Sequence, residues 1–167
     1  MRAVSRHSGI EVIDADECLR LLAEEEIGRV AVVVGATPMI LPVNYALDGD
    51  AVVFRTMPGS RLDVGQGHAA FEVDSFDKER KAGWSVLVTG HLEAVSWYQA
   101  KDMRRVQELS VTPWASGDRN LWLRLRPSFI TGRMVRGVAP AGDVVVPETA
   151  WCRNAQLTPS SYGVGRG

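Results

Sequence analysis

Apolar and polar residues alternate along most of this chain, and the period of the alternation changes at a few clear points. Residues 1–13 are mixed in character and predict a loose arm. Asp14 followed by Glu17 resembles a capping box, and Cys18, Leu21 and Leu22 then recur at helical spacing. One short helix is expected from Asp14 to Glu26, with Gly28 ending it. From Arg29 the texture turns to strand: RVAVVV, MILPVNYAL, AVVFRT, AAFEVDSF, WSVLVTGHLEAV and, from Leu121, LWLRLRPSFITGRMV. Asp48-Gly49-Asp50 between two apolar runs is a hairpin signal, Pro58-Gly59 breaks the chain, and Gly90 marks a bend or bulge. Ser60 can cap a short helical turn reaching Val64. A second helix is expected over residues 96–110, with Met103, Val106 and Leu109 on one side, and an irregular tail from 137 to 167. Strands joined mostly by short turns, with one helix before and one within the set, predict a mainly β domain. A small antiparallel barrel with flanking helices fits, because closure removes the unpaired edges.

Composition narrows the class. The chain has 167 residues, 46% of them hydrophobic and 23% charged, which is enough for one domain with a buried core. A net charge of −1 gives no electrostatic footprint for nucleic acid. Cys18 and Cys152 are far apart and form no metal-ligand spacing; no apolar run approaches the ~20 residues a membrane span needs. A cytoplasmic protein with reduced thiols, no resident metal, and neither membrane nor nucleic-acid partner is the expectation.

No nucleophile elbow, P-loop or glycine-rich dinucleotide turn is present, and no catalytic constellation is proposed by spacing. The informative segment is LPVNYALDGDAVVFRTMPGSRL, residues 41–62. Arg55 and Thr56 end one strand, and Ser60 and Arg61 follow a turn that folds back toward them. Two forked guanidinium groups and two hydroxyls make an anion cradle, suited to a phosphorylated ligand. A capped turn with two solvated arginines is the alternative. The Asn44 amide both donates and accepts, which suits the edge of a heterocycle; a buried Asn satisfied by backbone is the duller possibility. Trp84 either walls a planar ligand or is a core aromatic. His7, His68 and His91 are isolated in sequence.

The order PVNYALDGDAVVFRTMPGSRL, AAFEVDSFD, GWSVLVTGHLEAV resembles the flavin-binding split barrels related to pyridoxamine 5′-phosphate oxidase. It is most similar to the branch with nitroimidazole-resistance proteins and small actinobacterial flavin or deazaflavin reductases. The likeness runs over roughly residues 14–135 and implies a six-stranded Greek-key split barrel over 14–136, a homodimer, and FMN in grooves at the dimer interface. It implies that Arg55, Thr56, Ser60 and Arg61 hold the phosphate, that Pro42, Val43, Asn44 and Tyr45 lie beside the ring, and that Ser85, with Trp84, meets the cofactor from the partner strand or subunit. Where the oxidases carry a second basic residue after the serine-arginine pair this chain has Leu62, and their carboxy-terminal arginine-histidine pattern has no counterpart. The implied activity is an FMN-dependent oxidoreductase acting on a small planar or quinone-like substrate, rather than oxidation of the vitamin. A deazaflavin cofactor is the alternative, for which the cradle offers few lysines. A third possibility is a non-catalytic flavin- or haem-binding protein, with His68 as the one conceivable axial ligand.

Overall fold

The computed structural model describes residues 9–96, 98 and 100–137. Its elements in chain order are β1 (Ile10–Ile13), α1 (Ala15–Leu22), β2 (Ile27–Val34), β3 (Thr37–Asp48), β4 (Ala51–Thr56), β5 (Gly67–Asp77), β6 (Ala82–Ala94), α2 (Ala100–Gln107) and β7 (Leu121–Val135). The strands form one antiparallel sheet in the order β1-β7-β4-β3-β2-β5-β6, and β6 also pairs with β7. That extra pairing closes β7-β4-β3-β2-β5-β6 into a six-stranded barrel. The spatial run β5-β2-β3-β4 is a Greek key. The 15-residue β7 is long enough to serve two neighbours on one edge: Val52–Thr56 pair with its first half, and Ile10–Ile13 with its last four residues.

Several local expectations change. Residues 10–13 are a seventh strand rather than part of a loose arm, because β7 extends past β4 and leaves backbone groups for β1 to satisfy. The first helix stops at Leu22. Asp14 caps its start, accepting from the Glu17 N–H at 2.9 Å, and Cys18, Leu21 and Leu22 are buried. Extending it would place Glu24, Glu25 and Glu26 at the negative end of the helix dipole. Gly28 is no cap but a β2 residue: a Cβ there would lie 2.1 Å from Phe71 Cζ, so the glycine makes room for the ring. The segment after Pro58 is a pair of turns, Ser60 N–H to Met57 O at 3.1 Å and Asp63 N–H to Ser60 O at 3.0 Å, and not a helix. The second helix is shorter than 96–110, and the expected tail lies outside the described residues apart from Gly137.

The barrel core is built on Leu22, Val30, Phe54, Phe71, Val86, Leu92, Leu123 and Leu125. A second, smaller cluster lies on the outside of β4 and β7, where Val53 and Trp122 meet Met103 and Val106 of α2. Beside it, Arg124 (5% exposed) bonds Glu93 at 3.0 Å and Asp102 at 2.9 Å, tying β7 to β6 and α2. Arg105 pairs with the buried Asp48, and Arg126 with Glu93 at 2.7 Å.

Candidate binding site

The end of β4 sets the position of the site. Register pairs Arg55 with Trp122 and Thr56 with Leu121, so the chain entering β7 must pass beside the end of β4. The result is a cavity of about 290 Å³ with walls from three segments. β3 contributes Leu41, Pro42, Val43 and Asn44; β4 and its following turn contribute Arg55, Thr56, Ser60, Arg61 and Leu62; the α2–β7 loop contributes Pro113, Ala115 and Arg119.

The polar groups are partly fixed. Thr56 Oγ1 and Ser60 Oγ are 2.8 Å apart and share one hydrogen bond, and the Leu62 N–H donates to Ser60 Oγ at 3.3 Å. Arg55 donates from Nε to the Arg119 carbonyl at 2.8 Å and lies over the Trp122 ring at 4.9 Å. Arg119 donates from Nε to the Ala115 carbonyl at 3.1 Å, and Arg61 Nη1 lies 3.6 Å from Met39 Sδ. Asn44 Oδ1 accepts from the Trp114 N–H at 2.9 Å, which latches the loop to β3. No carboxylate lines the cavity. Arg20, Arg29, Arg80, Arg105, Arg124, Arg126 and Arg136 each have a carboxylate within 4.0 Å, whereas Arg55, Arg61 and Arg119 have none among the described residues. Three cations left without counter-ions around one concavity make a site for a ligand that brings its own negative charge.

Seven of the ten residues singled out from the sequence meet here: Pro42, Val43, Asn44, Arg55, Thr56, Ser60 and Arg61. Tyr45 does not. It is 5% exposed, donates its hydroxyl to the Leu22 carbonyl at 2.5 Å and packs edge-on against Phe71, so its side chain is taken up by the barrel core. Burial pushes its phenol pKa up. Trp84 and Ser85 lie on β6 opposite Met134 and Arg133, and Trp84 lines a separate groove with Met134, Val135 and Arg136. His68 faces His91 across β5 and β6, ring centres 6.2 Å apart, and neither lines the cavity. Arg119, Pro113 and Ala115 were not legible as site residues. The signal was long-range: only the pairing of Leu121 with Thr56 brings residue 119 to the end of β4.

A closed Greek-key barrel carries, at the end of β4, a cationic cleft whose arginines have no carboxylate partners among the described residues. Residues 14–134 match the pyridoxamine 5′-phosphate oxidase family model, and the chain belongs to that family. An uncharacterized protein of Mycobacterium tuberculosis is 34% identical over 140 residues, spanning 78% of this chain and 90% of the relative. The structure of an FAD-binding protein from Mycobacterium smegmatis is similar with a TM-score of 0.64 and 31% identity, covering 75% of this chain and 97% of that one. A Corynebacterium glutamicum structure, described as a candidate pyridoxamine 5′-phosphate oxidase, gives a TM-score of 0.67 at 25% identity and covers 79% and 98% of the two chains.

Proposed function

We propose that the cavity holds the ribityl-phosphate end of a flavin nucleotide and that the chain works as a flavin-dependent oxidoreductase on a small planar or quinone-like substrate. The observation that carries this is the set of three arginines without carboxylate partners around a cavity that also offers two hydroxyls. The donor chemistry fits a phosphate: forked guanidinium groups and short hydroxyl bonds on one side, no competing acid on the other. That first phosphate is common to FMN and FAD, so the cradle suits either, and arginines rather than lysines line it. When bound, the flavin would supply the electron transfer; the protein supplies orientation and tuning. No side chain is assigned as a catalytic acid or base.

A homodimer belongs to the same proposal. The cavity is at the small end of ligand sites, which run from roughly 300 to 1,000 Å³, so a second chain completing its open side would suit a flavin. The outward sheet face offers the surface. Register places Ile40, Ala31, Ala70, Thr89 and Phe129 in one row across five strands, flat in the middle and apolar at both ends. Leu87 stands in the next row, and Ile40, Leu87 and Phe129 are 67%, 39% and 49% exposed. Pairing this face with that of a second copy would bury it. No described helix is long and apolar enough to cross a membrane.

The double variant Arg61→Ala, Thr56→Val tests the reading. Flavin affinity by fluorescence titration should fall at least tenfold while circular dichroism and sedimentation stay those of the wild type. Unchanged affinity would remove the phosphate from this cavity.

A further inference from the structure

Resting on the phosphate assignment above, we infer that Asn44 is a positioning residue: it holds the Arg119 guanidinium in the cradle through the α2–β7 loop and does not itself grip the ligand. The chemistry of the amide comes first. A backbone N–H can only donate, so the Asn44 atom 2.9 Å from the Trp114 nitrogen is the amide oxygen, and the acceptor half of the side chain is spent on the loop. The next residue, Ala115, accepts at its carbonyl from Arg119 Nε at 3.1 Å. The Arg119 carbonyl in turn accepts from Arg55 Nε at 2.8 Å. Asn44 and Arg55 stand on neighbouring strands, each one residue beyond the Tyr45–Phe54 pair. The bonds therefore close a circuit, from β3 out through Trp114, Ala115 and Arg119 and back to β4.

That circuit is what fixes the segment. Residues 114–118 are exposed and belong to no helix or strand, so core packing does not hold them. Thr56, Ser60 and Arg61 come from β4 and its turn and do not depend on this stretch, whereas Arg119 stands at its end. A guanidinium on an unheld loop has to be ordered as the phosphate arrives, and that ordering subtracts from affinity; one already held does not carry the cost. Asn44 thus reaches the phosphate through Arg119. Releasing its bond to Trp114 should weaken phosphate binding and leave the rest of the ligand's contacts alone.

The experiment titrates the full chain and its variants with FMN and with riboflavin, which lacks the phosphate. Asn44→Leu should weaken FMN about tenfold, the low end of what one charge-assisted hydrogen bond carries. Riboflavin affinity should stay within about twofold, the margin to which independent sites add. Trp114→Pro deletes the N–H at the other end of the same bond and keeps the amide; it should reproduce both results, and it carries the test if Asn44→Leu does not fold. In an Arg119→Gln background, Asn44→Leu should change FMN affinity by no more than about twofold, because the group it places is gone. Losses that add in the double variant, or riboflavin weakened as much as FMN, would put Asn44 against the ligand itself and overturn the inference. A lowered melting temperature with an unchanged FMN-to-riboflavin ratio would make the bond structural only and overturn it too. A wild type that binds FMN no better than riboflavin would instead overturn the phosphate assignment on which the inference rests.

Discussion

Replacing Arg124 with methionine removes the guanidinium that joins three elements while keeping much of the side chain's length. Arg124 is 5% exposed and holds Glu93 at 3.0 Å, Asp102 at 2.9 Å and, more distantly, Asp48 at 4.0 Å. Breaking a buried ion pair by removing one partner costs about 3–5 kcal/mol, because the other charge is left uncompensated. Here Glu93 keeps Arg126 and Asp48 keeps Arg105, which puts the loss at the low end, about 3 kcal/mol. At about 2–4 °C per kcal/mol for a chain of this size, the melting temperature should fall by about 6–12 °C at pH 7.

The pH dependence fixes the cause. Burial acts to raise the Glu93 pKa, but the hydrogen bonds from Arg126 and Arg124 outweigh it and hold the carboxyl below its usual value. Asp102 is lowered as well, chiefly by its bond to Arg124. A carboxyl whose folded pKa is depressed adds stability that is complete above its unfolded value, near about 4, and is lost as pH falls through the folded value. The gap between wild type and Arg124→Met should therefore be widest near neutrality and shrink on acidification toward pH 3. Scanning calorimetry across that range reads both. A shift under about 2 °C at pH 7, or a gap that widens in acid, would refute the network as a clamp on α2.

Three smaller tests follow from the packing. Tyr45→Phe removes the hydroxyl that serves the Leu22 carbonyl and should cost about 1–3 kcal/mol of stability in urea titration, with flavin affinity unchanged; a loss of flavin binding would return Tyr45 to the site. Gly28→Val drives its new Cβ into the Phe71 ring, and a melting temperature equal to wild type would mean that the ring has another place to go. The Cys18 thiol, buried and pushed up to about 11, should resist maleimide in a folded Cys152→Ser variant at pH 8 and react once unfolded; rapid labelling of the folded protein would contradict its burial.

What could be read from the sequence was local. Alternation located β2 to β7, Asp48-Gly49-Asp50 gave the β3–β4 hairpin, and the residues flanking that hairpin gave seven members of the cavity wall. The early stop of the first helix and the turns after Pro58 are local, but the larger misses were set by distant partners. Ile10–Ile13 became a strand only because β7 runs beyond β4, and Gly28 reads as a helix stop until Phe71 is seen on top of it. Tyr45 could be placed on its inward face only once Phe71 and the Leu22 carbonyl were beside it. Arg119 sits in a stretch with no periodicity, and its presence in the cradle depends on a register 63 residues back along the chain, at Thr56. Trp84 and Ser85 lie on β6 and do not line this cavity; Trp84 lines a separate groove.

The most direct test of the cradle is the phosphate itself. Riboflavin and FMN share the ring and ribityl chain and differ only in that group, so titrating the flavin-free protein with each isolates the contribution of Arg55, Thr56, Ser60, Arg61 and Arg119. Two charge-assisted hydrogen bonds, at about 1.5–3 kcal/mol each, make FMN about 100-fold tighter or more. Equal affinity for riboflavin and FMN, or tighter binding of riboflavin, would contradict a phosphate site at the end of β4.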